Sequence, residues 1–220
     1  LTGGDAKKIY NFEDNMFNNL YQLIIAASIA TSEVNASMGK IVGAPTAGSS
    51  GIIPGVIWSL GKIYNLKEKD LLLALFTAGG LGEIVSKKIN LSGAEGGCQA
   101  ECGVASAMAA GAAVELLGGR PNMVSSAFAL ALKNLLGLTC DPVAGLVEIP
   151  CVKRNGFAAS HAITAAFMAL AGVKSIIPAD QVIDAMCDTG KLMPTVLKER
   201  AQAGLAVTPT ACEISDEFGI

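Results

Sequence analysis

Apolar residues recur at helical spacing along most of the chain, and no stretch alternates apolar with polar residues over several positions as a half-buried strand would. Residues 21–38 carry a broad apolar face that ends at "GAPTAGSSGIIPG", a run of breakers that predicts a loop. Helical spacing resumes over 55–66 and 67–87, with Asp70 placed to cap "LLLALFTAGG". The glycines at 79, 80 and 82 inside the second of these predict a kinked or broken helix. Residues 99–117 have strong helix formers at both ends and alanine between, and "GGRPN" stops them. Further helices are predicted over 122–136, 155–171 and 179–198, and "GLTCDPVAGLVEIPC" reads as irregular, punctuated by Pro142, Gly145 and Pro150.

The pattern predicts a mainly α fold, a compact Ala-rich helical domain spanning 1–220, with no repeat and no low-complexity tract. A chain of 220 residues can bury a sizeable core without help from disulfides or metals. Starting at Leu1 rather than Met, it is expected to be a fragment or a processed form.

Composition sharpens this picture. The chain is 51% hydrophobic but only 5% aromatic, so its apolar volume comes from small aliphatic side chains, which favours closely packed helices. With 16 basic and 19 acidic residues spread along it and a net charge of −3, it lacks the basic stripe that a nucleic acid partner needs. The longest uncharged run, 41–61, holds two prolines and a Gly/Ser cluster, and "FAASHAITAAFMALAGV" is weakly apolar, so no membrane partner is expected. Six cysteines are too sparse for a secreted disulfide scaffold, which points to a reducing cytoplasm.

The candidate chemistry lies in the cysteines and the loops. His161 is the single histidine, within an Ala-rich helical pattern, and no zinc-type pair of cysteines separated by two residues occurs. Each cysteine taken alone reads as a small buried hydrophobe, the reading kept for Cys187. Cys98 differs, because "SGAEGG" precedes it and a helix follows, so the free amides there favour a thiolate. Soft thiolates select iron-sulfur clusters, zinc or copper. The hydroxyls of Thr46, Ser49 and Ser50 could hold a small carboxylate, as could Arg154, with Asn155 to orient it. Each of these also reads as an ordinary turn or surface residue.

Taken together, "SEVNASMGKIVGAPTAGSSGIIPG", "SGAEGGCQAECGVASAMAAGAAVELLGG" and "CDPVAGLVEIPCVKRNG" resemble the alpha subunit, or catalytic domain, of iron-sulfur-dependent L-serine dehydratases. The resemblance runs from "LTGGDA" to "GLAVTPT" and covers nearly the whole chain. It implies a [4Fe-4S] cluster held by Cys98, Cys140 and Cys151, with the fourth iron left open for substrate, as in aconitase. It implies dehydration and deamination of L-serine to pyruvate and ammonia without pyridoxal phosphate. It also implies a beta subunit carrying the base, since the family's histidine-containing serine-rich stretch, similar to "SSSHT", is absent here. His161 matches no family motif.

Cys102 stands where the family usually has an aliphatic residue and reads as packing; Cys212 resembles a cluster-reaching cysteine near the end of some single-chain members, but eight residues follow it. The related reading is a cluster-dependent L-cysteine desulfidase. The reading of a different class is a non-catalytic metal-binding or interaction module. Homo-oligomers are compatible with all three.

Overall fold

A computed structural model of the protein describes residues 3–12 and 19–219. Leu1 and Thr2, with which the resemblance to the family begins, lie outside the described residues. Ten α-helices follow in order among the described residues: α1 Asp5–Tyr10, α2 Asn19–Ala36, α3 Ile52–Ile63, α4 Glu68–Ser86, α5 Gly93–Gly96, α6 Val104–Leu116, α7 Pro121–Lys133, α8 Cys151–Leu170, α9 Ala179–Leu192 and α10 Pro209–Phe218. The expected mainly α fold is what forms. No strand occurs among the described residues, and extended pairing is limited to a bridge between Cys140 and Lys198. None of the described helices is long and apolar enough to cross a membrane.

The core is built around α6, in which every residue but Glu115 is buried. A helix that is apolar on all sides must be surrounded, and α3, α4, α7 and α8 do so. Alanine and glycine let the helices approach closely. A Cβ at Gly55 on α3 would run into Ser28 on α2, including its backbone nitrogen at 2.9 Å, and one at Gly82 on α4 would lie 2.6 Å from Met108 Cε on α6.

Several predicted boundaries move. The break expected at Gly79, Gly80 and Gly82 does not occur: α4 is one helix from Glu68 to Ser86. Each glycine costs about 1 kcal/mol relative to alanine in a helix interior, and packing on α6 through Ala74, Ala78, Gly82 and Val85 keeps the helix whole. The helix expected to reach residue 198 stops at Leu192, because Pro194 forces Met193 into extended backbone with ψ 128. The segment expected as one helix over 99–117 begins with a π-helical turn, Gln99–Gly103, before α6. α8 starts four residues ahead of its predicted position, at Cys151.

Candidate functional site

Cys98 is placed by glycine and by Gln99. Gly97 adopts φ 74, a left-handed conformation that suits a residue without a Cβ, and a Cβ there would also lie 2.7 Å from Met193 Sδ. Gln99 is fully buried: its Nε2 donates to the Met186 carbonyl at 3.0 Å, its Oε1 accepts from the Gly137 N–H at 2.9 Å, and its own N–H donates to the Leu138 carbonyl at 3.0 Å. One side chain thus ties the turn to α9 and to the loop before Cys140. The π-helical turn that follows is a local distortion often found at functional sites.

Cys140 is held by the segment that follows α9. Its N–H donates to the Leu197 carbonyl at 2.9 Å, and its carbonyl accepts from the Glu199 N–H at 2.7 Å. The neighbouring Asp141 accepts from the Leu205 N–H at 2.9 Å. Cys151 opens α8 directly after Pro150. All three cysteines are buried, and each lies within electrostatic reach of the other two.

The thiols are electrically unequal. Cys98 is drawn below the usual thiol range, first by the S–H of Cys102, one turn on, and then by the Arg154 guanidinium, against the cost of burial. Cys102 is pushed well up because it is the donor in that hydrogen bond and is buried. Burial raises Cys140, and it pushes Cys151 up to about 12, with the charge on Cys98 adding to both. For Arg154, burial acts against the cation, but Cys98, Cys102 and Cys151 together outweigh it and hold the group above its ordinary value. Arg154 Nη1 also donates to the Thr139 carbonyl at 2.9 Å, and Nη2 meets Asp141 Oδ1 at 3.4 Å.

A carboxylate completes the group. Glu101 Oε1 accepts from Thr46 Oγ1 at 2.6 Å, and the Cys140 thiol faces Oε2 at 4.0 Å. Burial raises the Glu101 pKa, and the Thr46 hydrogen bond opposes the rise. The space beside it depends on Gly93, where a Cβ would lie 2.7 Å from Glu101 Oε2 and 2.8 Å from Cys140 Sγ.

The loop before α3 reaches this group through Thr46 and Ser49, whose hydroxyls are 3.1 Å apart. Asn155 on α8 straps the loop down: Nδ2 donates to the carbonyls of Gly48 and Cys151, both at 2.8 Å, and Oδ1 accepts from the Gly51 N–H at 3.0 Å.

Two candidates stand apart. The Ser50 hydroxyl is buried without a hydrogen-bond partner, in the wall of a cavity it shares with Lys40, Val42 and Pro54. His161 Nε2 is 2.9 Å from the Ala131 carbonyl, and the ring lines a cavity of about 480 Å³ that also touches the Arg154 side chain. Cys187 is buried on α9 and Cys212 is exposed on α10.

Among the described residues, no three His, Cys, Asp or Glu side chains close up as a site for a single metal ion. A polynuclear cluster asks for a different arrangement, with each thiolate on its own iron.

The chain matches the serine dehydratase alpha chain family over residues 1–206. The chain belongs to this family. A probable L-serine dehydratase alpha chain of Bacillus subtilis is 51% identical over 99% of this chain and 74% of its own length. The L-serine dehydratase alpha chain of Peptoniphilus asaccharolyticus is 44% identical over 99% of this chain and 76% of its own. The L-serine dehydratase TdcG of Escherichia coli is 42% identical over 88% of this chain, which spans 44% of that longer protein.

Within this serine dehydratase alpha chain, sequence reading missed Glu101, Gln99 and Asp141. The signal for Glu101 was a lone acid one turn after Cys98 in an otherwise uncharged stretch, "GGCQAECG".

Proposed function

We propose that this chain is the alpha subunit of an iron-sulfur L-serine dehydratase, which holds a [4Fe-4S] cluster on Cys98, Cys140 and Cys151 and, with a beta subunit, converts L-serine to pyruvate and ammonia. The observation that carries the reading is the convergence of three buried thiols from separate segments beside one guanidinium and one carboxyl group, in a chain of this family.

The donor set fits such a group. Three soft thiols share one buried region, where burial first and then the charge on Cys98 raise Cys140 and Cys151, so holding all three as thiolates calls for more positive charge than Arg154 supplies. Bound there, the cluster would supply a Lewis-acidic iron, free of a protein ligand, for the substrate hydroxyl and carboxylate.

The chain's own residues divide the remaining work. Arg154 offsets thiolate charge and fixes Cys98 against the 139–141 segment. Thr46 offers its hydroxyl toward the substrate, the fully buried Ser49 braces it at 3.1 Å, and Asn155 keeps their loop seated. Burial raises the Glu101 pKa, which suits the carboxyl group beside Cys140 to take up a proton and pass it to the departing hydroxyl. The tether of His161 to the Ala131 carbonyl favours a base for the α-proton on the beta subunit. Loss of water gives aminoacrylate, which tautomerises to the imine and hydrolyses to pyruvate and ammonia; no pyridoxal phosphate is needed. A cytoplasmic, reducing setting suits cysteines that are all free thiols.

The test is anaerobic reconstitution followed by assay of pyruvate from L-serine, with and without the beta subunit. Brown protein with about four irons per chain, active only in the complex, is the expected result. Colourless protein that takes up zinc alone, or full activity without a partner, would overturn the reading.

A further inference from the structure

L-serine brings three polar groups to the site, and the reading above accounts for its hydroxyl and its carboxylate. Its ammonium group is left over, and a cation drawn out of water needs an anionic acceptor. Three carboxylates of this chain stand close to Cys140, and they differ in what they already hold. Asp141 is buried, with Oδ1 against Arg154 and Oδ2 accepting from the Leu205 N–H. Glu101 accepts from Thr46, and burial suits it to carry a proton instead of a charge. Glu199 is exposed, and its carboxylate has no hydrogen bond or ion pair among the described residues.

The backbone ties Glu199 to the site. The Cys140 N–H donates to the Leu197 carbonyl, the Glu199 N–H donates to the Cys140 carbonyl at 2.7 Å, and Cys140 bridges to Lys198. Glu199 therefore stands one hydrogen bond away from a proposed cluster ligand. Its φ is 59, in the left-handed region that a residue with a Cβ adopts at a cost. Glycine would hold the same turn with less strain, so a charged side chain is kept where the backbone favours none. The charge of that side chain reaches the site, where it acts to raise Glu101, Cys140 and Cys151.

We infer that Glu199 receives the ammonium group of L-serine and so selects an α-amino acid over the corresponding hydroxy acid. This rests on the serine dehydratase reading of the site. The ammonium group keeps its charge while the hydroxyl departs, so the contact is made equally in ground state and transition state. It belongs in KM more than in kcat.

The test compares L-serine with 3-hydroxypropanoate, the same molecule without its amine, on the reconstituted complex with the beta subunit. Glu199→Gln should raise KM for L-serine about thirtyfold, with a far smaller fall in kcat. The inhibition constant of 3-hydroxypropanoate should stay within about twofold, because that ligand has no group for Glu199 to hold. Iron content and visible absorption should match the wild type. Glu199→Asp, which keeps the charge on a shorter arm, should give an intermediate KM. Glu199→Gly should lose L-serine as Glu199→Gln does without a fall in melting temperature, whereas a residue that merely supports the loop would lower both together.

An unchanged KM in Glu199→Gln overturns the inference. So does equal weakening of L-serine and 3-hydroxypropanoate, which assigns the residue to the loop, and so does loss of iron, which assigns it to the cluster. A wild-type complex without iron or without pyruvate formation is a different result: it removes the serine dehydratase reading and this inference with it. If Glu199→Gln fails to fold, Glu199→Asp and Glu199→Gly still decide.

Discussion

Inside α6 just one buried side chain, Ser106, requires a hydrogen-bond partner, and it finds the Ala158 carbonyl at 2.8 Å. In the segment from 139 to 151 the balance is reversed: Thr139, Cys140, Asp141 and Cys151 are each fixed by a polar contact to Arg154, Asn155 or the chain near 197–205. The first region is ordered by close packing of small side chains, which tolerates no added volume. The second is ordered by a few directional bonds, which tolerate volume change but not loss of a partner. The three cysteines all sit where the second kind of order meets the first.

If this division is right, changes to the two regions should have separable consequences. The largest effect is expected from Cys140→Ser or Cys98→Ser, which should abolish iron binding and pyruvate formation while circular dichroism of the helices stays unchanged; retained iron in either variant would contradict the ligand assignment. Next comes Glu101→Gln, with an expected loss of about 10²-fold in kcat, little change in KM or iron content, and loss of the pH-rate limb due to this group. Equal falls in iron content and rate would make Glu101 a structural support instead.

Gly55→Ala should act on stability alone, costing about 3 kcal/mol in urea unfolding because the new methyl meets Ser28 backbone, which cannot rotate away. Asn155→Ala should cost about 2 kcal/mol by leaving the Gly51 N–H and two carbonyls short of a partner. Unlike the change in the core, it should also loosen the loop that carries Thr46 and Ser49 and, on the proposed reading, raise KM.

The smallest effect is electrostatic. Asp5 is held at about 2 by hydrogen bonds and charge from Lys153 and Lys8, pinning α1 to α8. A carboxylate with a lowered pKa stabilises the fold above its unfolded value of about 3.9, and that contribution fades as pH falls through the folded value. The melting-temperature gap between wild type and Asp5→Asn should therefore be present at pH 5, shrink toward pH 2 and weaken in high salt. A gap that widens on acidification would show that the ion pairs are not its source.

Much of the helical frame was legible because apolar spacing and helix propensity act locally: spacing puts α2, α3, α7 and α8 close to where they lie, and strong helix formers with a Gly/Pro stop do the same for α6. α4 was misread, since breaking by glycine is a local tendency and packing on α6 is not local. Short α1 and α10 carry too few residues to show a period. In the candidate site, Cys98, Cys140, Cys151 and Arg154 stood out by motif. The separation of Ser50 from Thr46 and Ser49 could not, because adjacent residues in a turn point to different sides and only the packed neighbours decide which side matters.

What the sequence determined by itself was the kind of molecule: an Ala-rich helical fold with cysteines in and beside its loops, because composition and periodicity act on each segment independently. What only the tertiary structure decided was which groups meet. Glu101 became part of the site when Thr46, 55 positions away, donated to it, and Cys98 acquired its lowered pKa from Cys102 and from Arg154 on another helix. Charge and hydrogen bonding depend on distance in space, and distance along the chain does not encode them.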